Sequence, residues 1–267
     1  MGLGSDPLSM MIDVGTNTTD AAVIVVLISG GAPYLGGSAT WKPLRELASD
    51  YRFVEIDWLS FADAPDIEAA AVKTIETALC EATAVVAHFN VAALVLESAA
   101  RRRPDLPIML ISPLLVLRRT GRSSLVGALL GFPPVSSMLT AYAKSKTERL
   151  KNDRDYIRKQ MRFLVPDPAI SEALLDQAQS RCRDPRADRA AARTPEVLRM
   201  TLRVLSESAQ AVLAKATILV GSGAVDQKTA QRLKVNVLTG NGASAMLESP
   251  QAVADELRTL IAQSLQH

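Results

Sequence analysis

Thr83 to Pro113 reads TAVVAHFNVAALVLESAARRRPDLPIMLISP, and this stretch decides the fold class. Ala84 to Ala87 are small and apolar, suited to a buried strand. Val91 to Arg102 are helix-forming residues, and Ile108 to Ile111 make a second apolar run closed by Ser112-Pro113. Strand, sharp turn, helix and strand make a parallel crossover unit, which is right-handed in nearly all proteins.

Upstream, Ala22 to Ser29 (AVIVVLIS) is a β-branched run of the kind that forms a central parallel strand. A glycine-rich loop, Gly30 to Gly37, follows it. It does not spell the G-x-G-x-x-G of a dinucleotide site, so that reading is set aside. Thr40 is placed to cap the helix WKPLRELAS, and Arg52 to Asp57 (RFVEID) form the next strand. Met10 to Val14 suit a short edge strand. Asp66 to Glu81 is an amphipathic helix with Ile67, Ala70, Val72, Ile75 and Leu79 in near-helical spacing.

Downstream, residues 114–214 hold no strand pattern after Val116. Their helical pieces are broken by Gly121, Gly127, Gly131-Phe132-Pro133-Pro134 and Pro166-Asp167-Pro168. Thr194 to Lys215 reads as one long helix, with Thr194 as cap and Pro195 at the first helical position. Ala216 to Val220 and Asn236 to Thr239 are strands, and Ser249-Pro250 opens the last helix.

The chain has 267 residues, enough for one α/β domain with its own core. Its net charge of +2 gives no argument for nucleic acid. Two isolated cysteines, Cys80 and Cys182, form neither a disulfide framework nor a zinc pattern and fit a reducing cytosol. No signal peptide or membrane-spanning run is present, so the expected location is cytoplasmic and membrane binding is not expected. Between Arg118 and Arg162 eleven Lys or Arg face three Asp or Glu. That stretch is either a solvated helix face or a basic surface that attracts an anion, a partner or a membrane.

The Thr83–Pro113 stretch resembles the nucleophile elbow of the α/β-hydrolase superfamily. There a strand ends in Gly-x-Ser-x-Gly and the Ser sits on a strained turn into a helix. Asn90 lies fourteen residues before Pro104 and falls at the nucleophile position, with His88 and Ala92 at the Gly positions. The earlier block is similar too. Ser29-Gly30 or Gly30-Gly31 stands for the family's His-Gly, Trp41 for the Trp that opens a helix, and Asp57 for the strand-ending Asp. Gly223-Ala224-Val225-Asp226 resembles the Gly-x-x-Asp turn that carries the catalytic acid. Gly242-Ala243, ahead of Glu248-Ser249-Pro250, puts Ala243 where the family has its His.

The resemblance implies a three-layer α/β sandwich with a mostly parallel sheet. Residues 1–113 and 215–267 would form the hydrolase-type core, and residues 114–214 a helical cap. It implies oxyanion-hole or ligand-binding positions at Gly30, Gly31, Val91 and Ala243, and a former catalytic site at Asn90, His88 and Asp226. Acyl transfer needs a nucleophile, a base touching it and an acid orienting the base. By position these are Asn90, Ala243 and Asp226. Asn offers no ionisable nucleophile and Ala accepts no proton. Asn90 serves either as a residue that tolerates positive φ and caps a helix, or as a ligand-contacting amide. His88 is either a core imidazole or a relocated acid–base group, since the only other histidine is the terminal His267.

Three functions follow as expectations. The first is a protein that binds a small, partly apolar carbonyl or acyl ligand under the cap, or a protein partner, without hydrolysis. The second is an enzyme of rewired chemistry, a lyase, isomerase or cyclase, that uses the oxyanion hole with His88 or Asp226. The third is a residual hydrolase acting through Ser29 or Ser244. No cofactor or metal is called for, no nucleic acid is expected, and a homodimer is compatible with the pattern.

Overall fold

The computed structural model describes residues 11–14, 23–30, 36–115, 130, 132–162, 165, 169–221, 236–238 and 244–266. Its strands are β1 (Met11–Val14), β2 (Ile24–Ile28), β3 (Arg52–Ile56), β4 (Ala84–His88), β5 (Ile108–Ile111), β6 (Thr217–Gly221) and β7 (Asn236–Leu238). They form one sheet in the order β1-β3-β2-β4-β5-β6-β7. Only β1 runs antiparallel, pairing Met11 with Ile56 and Val14 with Phe53 at the sheet's edge. The other pairings are parallel.

The helices between them are α1 (Ser38–Leu47), α2 (Ile67–Glu81), α3 (Ala92–Arg102), α4 (Pro133–Asn152), α5 (Arg154–Met161), α6 (Glu172–Arg183) and α7 (Pro185–Ala192). They continue as α8 (Thr194–Thr201), α9 (Glu207–Leu213), α10 (Ala245–Glu248) and α11 (Pro250–Ser264).

The central strands are buried on both faces, which explains their unbroken apolar runs. Alternation sends Val26, Ile28, Val85, Ala87, Ile108 and Leu110 into a layer built from α2, α3, α8 and α9. Val25, Leu27, Ala84, Val86, Met109 and Ile111 enter the opposite layer, built from α1, α10 and α11. Each fully buried Val, Leu or Ile contributes about 1.5–3 kcal/mol relative to its exposed state, so the two faces carry most of the stability. The architecture is therefore a three-layer α/β sandwich. A third cluster, with Leu150, Ile157, Met161, Leu174, Leu175, Ala178 and Cys182, gives α4, α5 and α6 a core of their own above the sheet. Burial pushes the Cys182 thiol up to about 11, so it behaves as an inert apolar residue.

Local chemistry sets the helix starts. Asp66 accepts from the Ala69 N–H at 2.9 Å before α2. Ser171 accepts from the Leu174 N–H at 3.1 Å before α6. Each pairing satisfies an amide that the helix leaves unbonded.

Three helix expectations differ from the structure. Thr40 is not the cap of its helix: α1 begins at Ser38 with Gly37 at the cap position, and Thr40 Oγ1 instead accepts from the Gly36 N–H at 3.1 Å. The predicted helix from Thr194 to Lys215 is two helices, α8 and α9, broken at residues 202–206. Ser206 restarts the chain: its hydroxyl accepts from the Ala209 N–H at 3.2 Å, and its own N–H donates to Glu97 Oε1 at 2.7 Å. An acid on α3 thus captures a residue that the sequence pattern leaves inside a helix. Thr194 lies inside α8, whose cap position is Arg193.

Three cations of the basic stretch pair with acids that lie outside it, on α6 and α7. Lys151 pairs with Asp188 at 2.6 Å, Arg158 with Glu172 at 2.6 Å, and Arg154 with Glu172 and Asp176. These pairs are part-exposed, so each contributes little to stability. No helix among the described residues is long and apolar enough to cross a membrane.

Candidate functional site

Parallel strands deliver their carboxyl ends to one edge, where open α/β sheets bind ligands. Ile28 is in register with both Ile56 and Ala87. The residues one step further, Asp57, Ser29 and His88, therefore stand abreast on neighbouring strands, about 4.8 Å apart in the ladder direction. All three are buried, at 8%, 2% and 3% exposure. The Trp41 Nε1–H of α1 donates to Ser29 Oγ at 2.7 Å and fixes that hydroxyl on the α1 side of the sheet.

The turn after β4 is the sharp one the sequence predicts, but its strained residue is Phe89, with φ 61, and not Asn90. Phe89 to Val91 form a single tight helical turn before α3. A bulky residue in the left-handed region is a genuine outlier that its surroundings must enforce. Here the Phe89 carbonyl is held from two sides, by the Ala92 N–H and by the Leu114 N–H at 3.2 Å. The amide following the left-handed residue is accordingly that of Asn90 rather than Val91, and Val91 is 1% exposed with ordinary helical geometry.

Gly30 is required by this elbow. A Cβ on Gly30 would fall 2.5 Å from Asn90 Oδ1 and 2.8 Å from the His88 carbonyl oxygen. The start of the glycine loop is thus packed directly on the elbow, with the Asn90 carboxamide between them. Ser112, at the end of β5, is the other non-glycine residue in the left-handed region among the described residues, with φ 45.

The cap meets this edge through α6. Arg181 makes a two-pronged ion pair with Asp57, Nη1 to Oδ2 at 2.7 Å and Nη2 to Oδ1 at 2.8 Å. Gly36 and Gly37 give the guanidinium its seat, because a Cβ on Gly37 would lie 2.7 Å from Arg181 Nη1. Gln177, one turn earlier, accepts the Ala39 N–H at 3.0 Å and supplies the cap that α1 lacks locally.

Beneath Asp57, the buried Glu55 faces Arg45 at 3.4 Å. The contact is an ion pair without hydrogen-bond geometry, since Glu55 Oε1 finds no such partner among the described residues. Burial raises the Glu55 carboxyl above its ordinary range, and Arg45 opposes the shift.

Gly30, His88, Asn90 and Val91 are therefore brought together at one edge. Gly31, Asp226, Ala243 and His267 lie outside the described residues. Ser244 is fully buried, with its hydroxyl unpartnered among the described residues. Sequence reasoning missed Phe89, Gln177 and Arg181. No local signal marks the two cap residues, which act on partners 138 and 124 positions away. Among the described residues no group of three or more His, Cys, Asp or Glu side chains is placed to hold a metal ion.

No family model matches the sequence, and no curated protein matches it. Solved structures do match the fold. A serine hydrolase involved in carbazole degradation superposes with a TM-score of 0.66 at 14% identity, covering 95% of this chain and 94% of that one. A meta-cleavage product hydrolase from Pseudomonas fluorescens gives 0.64 at 15% identity, covering 95% and 94%. The thioesterase domain from the curacin biosynthetic pathway gives 0.58 at 16% identity, covering 93% and 94%. The chain has the α/β-hydrolase fold with a helical cap. At these identities the likeness carries the fold and not the reaction.

Proposed function

We propose that this chain binds a small, partly apolar carbonyl or acyl compound at the carboxyl edge of its sheet, under the cap, and does not hydrolyse it. The observation that carries the reading is Phe89 in the left-handed elbow position. A benzyl side chain has no atom that attacks a carbonyl, and its neighbour Asn90 has none either. The reading also uses the sequence positions of Ala243 and Asp226, which leave the elbow with no imidazole from the terminal loop. Residues 114–214 are the proposed cap, residues 1–113 and 215–267 the proposed core, and the cytoplasm the proposed location. Gly30, Gly31 and the amides after Phe89 would receive the ligand's carbonyl oxygen.

The test is turnover of 4-nitrophenyl acetate, butyrate and octanoate by pure protein, beside a native mass spectrum of the same sample. The expected result is no rate above that of the Asn90→Ala variant, with a co-purified or added acyl compound retained. An enzymatic rate abolished by Asn90→Ala would defeat the reading.

A second reading rests on the row Asp57, Ser29, His88. A buried imidazole beside an indole-held hydroxyl suits proton transfer in a lyase, isomerase or cyclase. It requires a pH-dependent activity that disappears in His88→Ala.

A further inference from the structure

Ser112 combines two costs at one residue. Its φ of 45 is unfavourable for any residue with a Cβ. Pro113 follows it, and a residue before proline is pushed toward extended conformations, so the left-handed value opposes that preference as well. Its hydroxyl oxygen is enclosed yet finds no hydrogen-bond partner among the described residues. Enclosing an unpaired hydroxyl is unfavourable.

Position gives these costs a meaning. Ile111 is in register with His88, so Ser112 follows β5 beside the residue that follows β4, which is Phe89. The Ser112 N–H donates to the Leu219 carbonyl at 2.7 Å, and the Leu114 N–H donates to the Phe89 carbonyl at 3.2 Å. The exit of β5 is therefore clamped between β6 and the elbow. Two left-handed side-chain-bearing residues on adjacent strands share one hydrogen-bonded frame at the ligand-binding edge. Local strain and unpaired buried polar groups of this kind concentrate at sites that a ligand completes. Phe89 lies across the ladder from Ser112, and Pro113, the exposed Leu114 and the part-buried Leu115 follow it in the chain, so the one polar handle here has apolar neighbours in register and in sequence.

We propose that Ser112 is a ligand-contact residue: its hydroxyl turns about the Cα–Cβ bond and donates a hydrogen bond to an oxygen of an acyl compound seated against Phe89 and Leu114. This deepens the binding function proposed above and rests on it for the ligand's class. No bond is made or broken.

The probes are phenylacetate and phenylacetamide, titrated calorimetrically into wild type, Ser112→Ala and Ser112→Gly, with thermal unfolding of the three unliganded proteins alongside. Ser112→Ala removes only the unpaired hydroxyl, so its unfolding midpoint stays level or rises. Ser112→Gly also relieves the backbone, so its midpoint rises. Both variants weaken probe binding by about fivefold or more, the worth of one neutral hydrogen bond.

A lower midpoint in Ser112→Ala overturns the proposal, because the hydroxyl would then have a structural partner. Affinities within twofold of wild type overturn it, as does the lack of saturable binding of either probe to wild type. Turnover of 4-nitrophenyl phenylacetate by wild type would instead defeat the non-hydrolytic reading. Ser112 would still be judged on its amide affinity.

Discussion

Replacing Arg181 by Ala leaves the Asp57 carboxylate under the cap with the Leu59 N–H, at 3.2 Å, but without its cation. The pair is two-pronged, at 2.7 and 2.8 Å, and its side chains are only 13% and 10% exposed. Two unit charges about 4 Å apart at an effective dielectric of about 20 attract by about 4 kcal/mol. Removing one partner of such a buried pair typically costs about 3–5 kcal/mol, since the other charge stays desolvated. For a chain of this size that corresponds to roughly 6–20 °C in unfolding midpoint. Urea unfolding followed by circular dichroism measures it. Arg181→Lys should rescue little, because an ammonium cannot reproduce the fork on the carboxylate. The double variant Arg181→Gln, Asp57→Asn should recover part of the loss, because no bare charge remains. A loss below about 1 kcal/mol in Arg181→Ala would show that the pair is solvated and that α6 is not anchored there.

Gly37→Ala combines a φ of 71 with a Cβ 2.7 Å from Arg181 Nη1, so it should destabilise by about 1–3 kcal/mol in the same urea assay, and by less when Arg181 is already Ala. Glu55 has a folded-state pKa raised above 4.5, burial being the main cause, so the folded state binds its proton more tightly than the unfolded chain. That group's contribution to stability therefore falls as pH rises from 4.5 through the raised value. Glu55→Gln should remove this slope, so its urea midpoint should vary less than that of wild type as pH rises above 4.5.

Much of the scaffold was legible because the signals were strong and local. The β-branched run before Gly30, the amphipathic run that ends at Glu81 and the apolar closure at Ile108–Ile111 each form the element their pattern implies. The elbow was legible as a turn but not to the residue. Asn tolerates positive φ better than Phe, so local preference points to Asn90. Hydrogen bonds to the Phe89 carbonyl, one of them from Leu114 beyond the next strand, override that preference. The break between α8 and α9 has the same origin, an acid from α3 that captures Ser206. Gln177 and Arg181 were illegible because their chemistry is completed by residues far away in sequence. Lys151, Arg154 and Arg158 of the basic stretch find counter-charges on α6 and α7, which a count within the stretch does not include.

The most direct test of a chemically silent elbow is intact-mass analysis of the pure protein after incubation with a fluorophosphonate, a reagent that phosphonylates activated serines. With Phe89 in the left-handed position and Asn90 after it, no stoichiometric adduct should form. A single stoichiometric adduct on Ser29, Ser112 or Ser244, lost when that serine is changed to Ala, would reveal an activated nucleophile and contradict the binding function.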